Sequence, residues 1–130
     1  MKKTPATAAL IVAITLPFLG AVPAHAGDGD SEVTRHGSCS GSTDWKIKAK
    51  SDDGRIEVES GIDSNRSGQV WHWTLRQNGG IAADGRSTTR GRSGSFEVER
   101  ETRNAAGTDA FRFRAVNRAS GEVCVARVRF

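Results

Sequence analysis

The chain has 130 residues, of which 36% are hydrophobic, 6% aromatic and 26% charged, with 19 bases and 15 acids for a formal charge of +4. That length suits one small core, and only two cysteines exclude a disulfide-dense scaffold or a zinc site built from several thiolates.

Residues 1–26 read as a removable export signal. Lys2 and Lys3 supply the positive end, Leu10 to Phe18 the apolar segment, and Ala24-His25-Ala26 the small residues of a cleavage site. Pro17 and Pro23 break the apolar segment, which falls short of the roughly 20 residues a membrane span needs. We therefore expect no stable membrane anchor and a secreted, extracellular chain starting at Gly27. Losing Lys2 and Lys3 leaves 17 bases against 15 acids, or +2, so overall charge argues only weakly for a polyanion partner.

Residues 27–43 are rich in Gly, Ser and Asp and are expected to form a loose N-terminal segment. Asp28-Gly29-Asp30-Ser31-Glu32 resembles the start of a calcium loop but lacks the later acidic ligands, so no metal is expected there. Cys39 and Cys124 allow a single pairing, and an exported chain should form it. Closing a loop of 85 positions is worth about 4–5 kcal/mol in the chain-entropy model. A reactive Cys39 thiol with His36 as its base is the competing reading.

Residues 44–130 alternate as short strands. Trp45, Ile47 and Ala49 point inward and Lys46, Lys48 and Lys50 outward; after Ser51-Asp52-Asp53-Gly54, Ile56 and Val58 point inward and Glu57 and Glu59 outward. A four-residue turn sets Ala49 against Ile56, Lys48 against Glu57 and Lys46 against Glu59. The lysines then read as a ladder of cross-strand ion pairs rather than a nucleic-acid stripe. Ile62 to Gly68 crosses to the next strand and includes the glycosylation-like triplet Asn65-Arg66-Ser67.

The strand Gln69 to Arg76 places Trp71, Trp73 and Leu75 on one face and Val70, His72 and Thr74 on the other. A three-residue loop Gln77-Asn78-Gly79 sets Leu75 against Ile81, Trp73 against Ala83 and Trp71 against Gly85, leaving space for two inward indoles. A flat sugar-binding platform is the other use of such a pair, and we read the indoles as core. The basic stretch from Arg86 through Arg90 to Arg92 reads as an exposed turn and a candidate binding loop.

Phe96 and Val98 then point inward, with Glu97, Glu99 and Glu101 outward. Phe111, Phe113 and Ala115 pair with Cys124, Ala126 and Val128. That register sets Arg112 against Arg127, an unfavourable like-charge pair. Either the glutamates of the preceding strand relieve it or an outside anion does; we expect the internal relief. The count is seven strands and no helical period, the pattern of an all-β antiparallel sandwich.

No nucleophile elbow, phosphate loop, metal-spaced cysteine set or zinc-helix motif occurs, so no enzymatic activity and no cofactor are expected. His72 is the histidine best placed to meet a partner.

Gly37-Ser38-Cys39-Ser40-Gly41-Ser42, Asp44-Trp45-Lys46-Ile47-Lys48, Asp53-Gly54-Arg55-Ile56-Glu57-Val58-Glu59, Gly68-Gln69-Val70-Trp71, Ser93-Gly94-Ser95-Phe96-Glu97-Val98 and Gly121-Glu122-Val123-Cys124 together resemble small exported actinobacterial proteins of unknown function. The resemblance implies an immunoglobulin-like sandwich outside the cell and carries no catalytic or binding residues with it. The Cys39–Cys124 staple is expected to tie the entry segment to the last strand.

The sequence therefore predicts a secreted, non-catalytic β-sandwich binding an extracellular protein or cell-envelope component, with nucleic acid not expected. The alternative is a polyanion or polysaccharide module using Arg112, Arg114, Arg127 and Arg129, or the pair Trp71 and Trp73.

Overall fold

The computed structural model describes residues 31–130, so the signal expected at residues 1–26 lies outside the described residues. Eight strands follow one another: β1 (Glu32–Ser38), β2 (Asp44–Asp52), β3 (Arg55–Asp63), β4 (Val70–Gln77), β5 (Gly80–Thr88), β6 (Ser95–Arg103), β7 (Ala110–Asn117) and β8 (Val123–Arg129). They form two antiparallel four-stranded sheets, the first in the order β1-β2-β3-β6 and the second β5-β4-β7-β8. The chain passes between sheets after β3, β5 and β6, so two of the six pairings, β3 with β6 and β4 with β7, join strands distant in sequence.

The alternating apolar residues meet between the sheets. Trp71, Ile47, Ile56, Val58, Phe113, Ala115, Cys124 and Ala126 are fully enclosed, and Trp73 retains 4% of its surface. Trp73 stacks on Phe113 with ring centroids 5.6 Å apart, and its Nε1 donates to Ser87 Oγ at 3.1 Å. Burying an indole removes roughly 200 Å² from water, worth about 5 kcal/mol as an upper figure. Both indoles of β4 are thus core, and neither offers a platform to a sugar ring.

Cys39 and Cys124 are bonded to each other, and no cysteine is free among the described residues, so the reactive-thiol reading falls. The bridge ties the segment after β1 to β8. Polar clips reinforce it: Ser40 N donates to the Val123 carbonyl at 2.9 Å, and Glu122 accepts from Thr43 N and Oγ1 at 3.1 and 2.6 Å.

The structure differs from expectation in three places. Within the segment 27–43, residues Glu32–Ser38 form an additional edge strand, paired with β2 from Glu32↔Lys50 to Ser38↔Asp44. Its inner side carries only Val33, Arg35 and Gly37, so it lacks the apolar alternation that marks the other strands. Gly37 is required there, because a Cβ would stand 2.3 Å from the Trp45 indole.

The two hairpins are also tighter than expected. Asp53 and Gly54 (φ 47° and 77°), like Asn78 and Gly79 (φ 51° and 85°), form two-residue turns with positive φ at both positions. Ala49 consequently faces Val58, Lys48 faces Glu59 and Lys50 faces Glu57. In the second hairpin a bulge between Leu75 and Arg76 completes the shift, so Trp73 faces Gly85 and Trp71 faces Ser87. Trp73, rather than Trp71, occupies the space over Gly85, where a Cβ would lie 2.8 Å from its ring.

Finally, the glutamates of β6 do not lie beside the arginines of β7. β6 pairs with β3 in the first sheet, and β7 sits between β4 and β8 in the second. Arg112 does face Arg127 as expected, but the expected relief by Glu97, Glu99 and Glu101 is absent because those side chains project from the other sheet.

Candidate functional site

Strand alternation that fills the core also fixes what each sheet shows to solvent. On the first sheet the outward positions carry nine acids (Glu32, Asp44, Asp52, Glu57, Glu59, Asp63, Glu97, Glu99, Glu101) and five bases (Lys46, Lys48, Lys50, Arg55, Arg103). On the second they carry six arginines (Arg76, Arg86, Arg112, Arg114, Arg127, Arg129) and one acid, Asp84. The small net charge of the chain is the near-cancellation of two oppositely charged faces.

The first face is internally neutralised in large part. Lys48 meets Glu59 at 3.2 Å, Lys50 meets Glu57 at 3.7 Å, Lys46 meets Glu97 at 3.8 Å and Arg55 meets Glu101 at 3.7 Å. The lysine ladder therefore exists, displaced by two residues from the expected register and extended to β6. Crowding of acids persists, since Glu57 faces Glu101 and Glu59 faces Glu99. A hydrogen bond to Asp52 and the charge of that carboxylate raise the Glu101 pKa above 4.5. Oxygens of Glu57, Glu59 and Glu99 come within 4.8 Å of one another, but Lys48 and Lys50 engage two of the three.

The second face is arranged as a grid. Across neighbouring strands run the rows Ile81–Arg76–Arg112–Arg127, Asp84–Thr74–Arg114–Val125 and Arg86–His72–Val116–Val123, with Arg129 beyond the first row opposite Ala110. Strands are about 4.8 Å apart, so three guanidinium-bearing side chains rise from backbone positions within roughly 10 Å. Like charges facing each other across strands repel. None of the six takes part in an ion pair among the described residues. Arg76 Nη1 donates to the Gly79 carbonyl at 3.0 Å, which fixes one end of the row.

Two depressions open on this face. One, of about 460 Å³, is bounded by Arg76, Arg112, Arg127 and Arg129 together with Phe111 and Val128. The other, of about 620 Å³, is bounded by His72, Thr74, Asp84, Arg86, Arg114, Val116 and Arg118. In it, burial and the guanidiniums of Arg118 and Arg86 hold the His72 imidazole below its ordinary value of 6.5.

The residues singled out by sequence thus separate. His72, Arg86, Arg112, Arg114, Arg127 and Arg129 share one face. Arg90 and Arg92 do not, because β5 continues to Thr88 and both stand in the crossover to β6, where Arg90 bridges Ser95. Arg76 and Arg118 were missed. Arg76 needed the β4–β7 pairing to be placed opposite Arg112, and Arg118 is a turn residue whose position depends on the fold. His36 lies on the other sheet, opposite Lys46.

Comparison of the chain with protein-family models, with curated proteins and with solved structures finds no match.

Proposed function

We propose that this chain is an exported, non-catalytic binding module that holds an anionic polymer of the cell envelope or extracellular space against the outer face of its second sheet. The observation that carries this is the in-register row Arg76–Arg112–Arg127 with no ion-pair partner among the described residues. Such a row is unfavourable alone and becomes favourable when several negative groups at polymer spacing lie along it. Arginine suits this task because its planar fork takes phosphate, sulfate or carboxylate oxygens in pairs.

Two further features support the setting. A single disulfide fits an oxidising compartment. The strand order, with one extra strand ahead of an arrangement that splits three against four, supports the immunoglobulin-like layout expected from the sequence.

The test is binding of the oxidised protein to heparin and to polyphosphate, beside neutral dextran, DNA and an acidic protein. Arg112→Glu/Arg127→Glu should lower affinity for both anionic polymers at least tenfold, while Lys46→Glu on the opposite sheet should change it less than twofold. Equal binding by the double variant would refute the reading, as would capture of only the acidic protein or of only DNA.

A further inference from the structure

The depression around His72 differs from the open arginine row in shape and chemistry. Its cationic walls come from three separate pieces of chain: Arg86 on β5, Arg114 on β7 and Arg118 in the turn after β7. His72 and Thr74 on β4 stand between them, and Asp84 is the one acid bounding it. Three guanidiniums less one carboxylate leave two positive charges around a volume of about 620 Å³. Donors approaching from several sides fit an anion with oxygens in several directions, whereas a carboxylate offers two oxygens in one plane.

We propose that this depression is a discrete subsite for one tetrahedral dianion, a sulfate or phosphate group, and that His72 takes up a proton as the group binds. The proposal rests on the polymer-binding reading, of which it would be the group-specific anchor. His72 faces Arg86 on β5 and Val116 on β7, with Arg114 and Arg118 beyond and Asp84 on the β5 side. In the free protein, burial and the charges of Arg118 and Arg86 disfavour its imidazolium. A bound dianion reverses the sign of that local field, so the protonated form becomes the favoured one and its N–H donors both have use.

Thermodynamic linkage makes this measurable. If the anion raises the His72 pKa by about one unit, it binds about tenfold more tightly to the protonated protein. Affinity for sulfate, whose charge is constant over this range, should therefore rise as pH falls from 7.5 to 5.5. Phosphate loses charge near pH 6 on its own account, so its affinity should change less with pH. The two sources of the tetrahedral group are thereby told apart.

The experiment follows the histidine ring protons by NMR through a pH titration, in sodium sulfate and in sodium chloride at equal ionic strength. Matching ionic strength removes simple screening of Arg86 and Arg118 as a cause. The expected result is a His72 pKa about one unit higher in sulfate, with His36 moving by less than about 0.2. Arg118→Gln should raise the starting His72 value and abolish the sulfate response, and Lys50→Gln on the opposite sheet should leave that response intact. His72 and His36 moving together, or neither moving, would overturn the subsite. Loss of the sulfate response with polymer binding retained would remove the subsite alone. A retained response without polymer binding would remove the broader function alone.

Discussion

Gly91 and Gly94 look alike in the sequence and do different work in the fold. Both hold positive φ, 73° and 64°. At Gly91 a Cβ would meet nothing within 4 Å, whereas at Gly94 it would lie 2.1 Å from the Arg66 backbone nitrogen. Gly91→Ala should then cost only the left-handed penalty, about 1 kcal/mol. Gly94→Ala must also displace the backbone that Ser64 N and Oγ hold against the Gly94 carbonyl at 3.0 and 3.1 Å, and should cost at least about 3 kcal/mol. Urea denaturation of the two variants checks this, and equal midpoints would contradict it. Asp109 is another residue whose importance only the fold reveals. It is wholly buried, and its Oδ1 accepts from Gln77 Nε2 at 3.0 Å and Asn78 Nδ2 at 2.9 Å. Asp109→Ala removes both bonds, leaving Gln77 Nε2 only the Arg103 carbonyl at 2.6 Å, and should cost about 2 kcal/mol.

Between strands, the ladder on the first sheet makes stability depend on pH at both extremes. Burial alone would raise the Glu59 pKa, but the hydrogen bond and charge of Lys48 overrule it and hold it below 4.5. The hydrogen bond that Lys48 donates to Glu59 in turn raises the Lys48 pKa above 10.5. The Glu59 contribution is present above pH 4.5 and is lost as pH falls through its lowered value. The Lys48 contribution is present below pH 10.5 and is lost as pH rises through its raised value. Lys48→Met should cost about 0.5 kcal/mol at pH 7 and progressively less toward pH 3, as followed by urea midpoints. An undiminished loss at pH 3 would contradict the pairing. Facing was legible in the sequence because a strand's alternation records its core side: Ile47, Val58, Trp73, Phe113 and Val128 all point where the pattern put them. Register was legible in the last hairpin, where Ala115 meets Cys124 and Phe111 meets Val128 as expected, but not in the first, because a two-residue turn at Asp53-Gly54 and a longer turn through Ser51 to Gly54 preserve the same facing. The hairpin neighbours were legible, but pairings between distant strands were not, since nothing local in Glu97, Glu99 or Glu101 says that β3 lies beside them.

For the molecule as a whole, the consequence is a separation of charge that composition conceals. Acids and lysines share one sheet, arginines hold the other, and the sum comes out small. The expected relief of Arg112 and Arg127 by the β6 glutamates failed for this reason, and the crossover arginines Arg90 and Arg92 stand apart from the sheet face. The individual arginines of β7 and β8 could be picked from the sequence. Their alignment with Arg76 needed the β4–β7 pairing, and the gathering around His72 needed a turn to bring Arg118 back. The most direct measurement is the affinity of the oxidised protein for heparin between about 0.05 and 0.3 M salt. A polymer lying along the arginine row displaces counterions, so log K should fall linearly with log salt at a slope of about −2 to −4. A flat dependence, or no binding at the lowest salt, would contradict the assignment of this face.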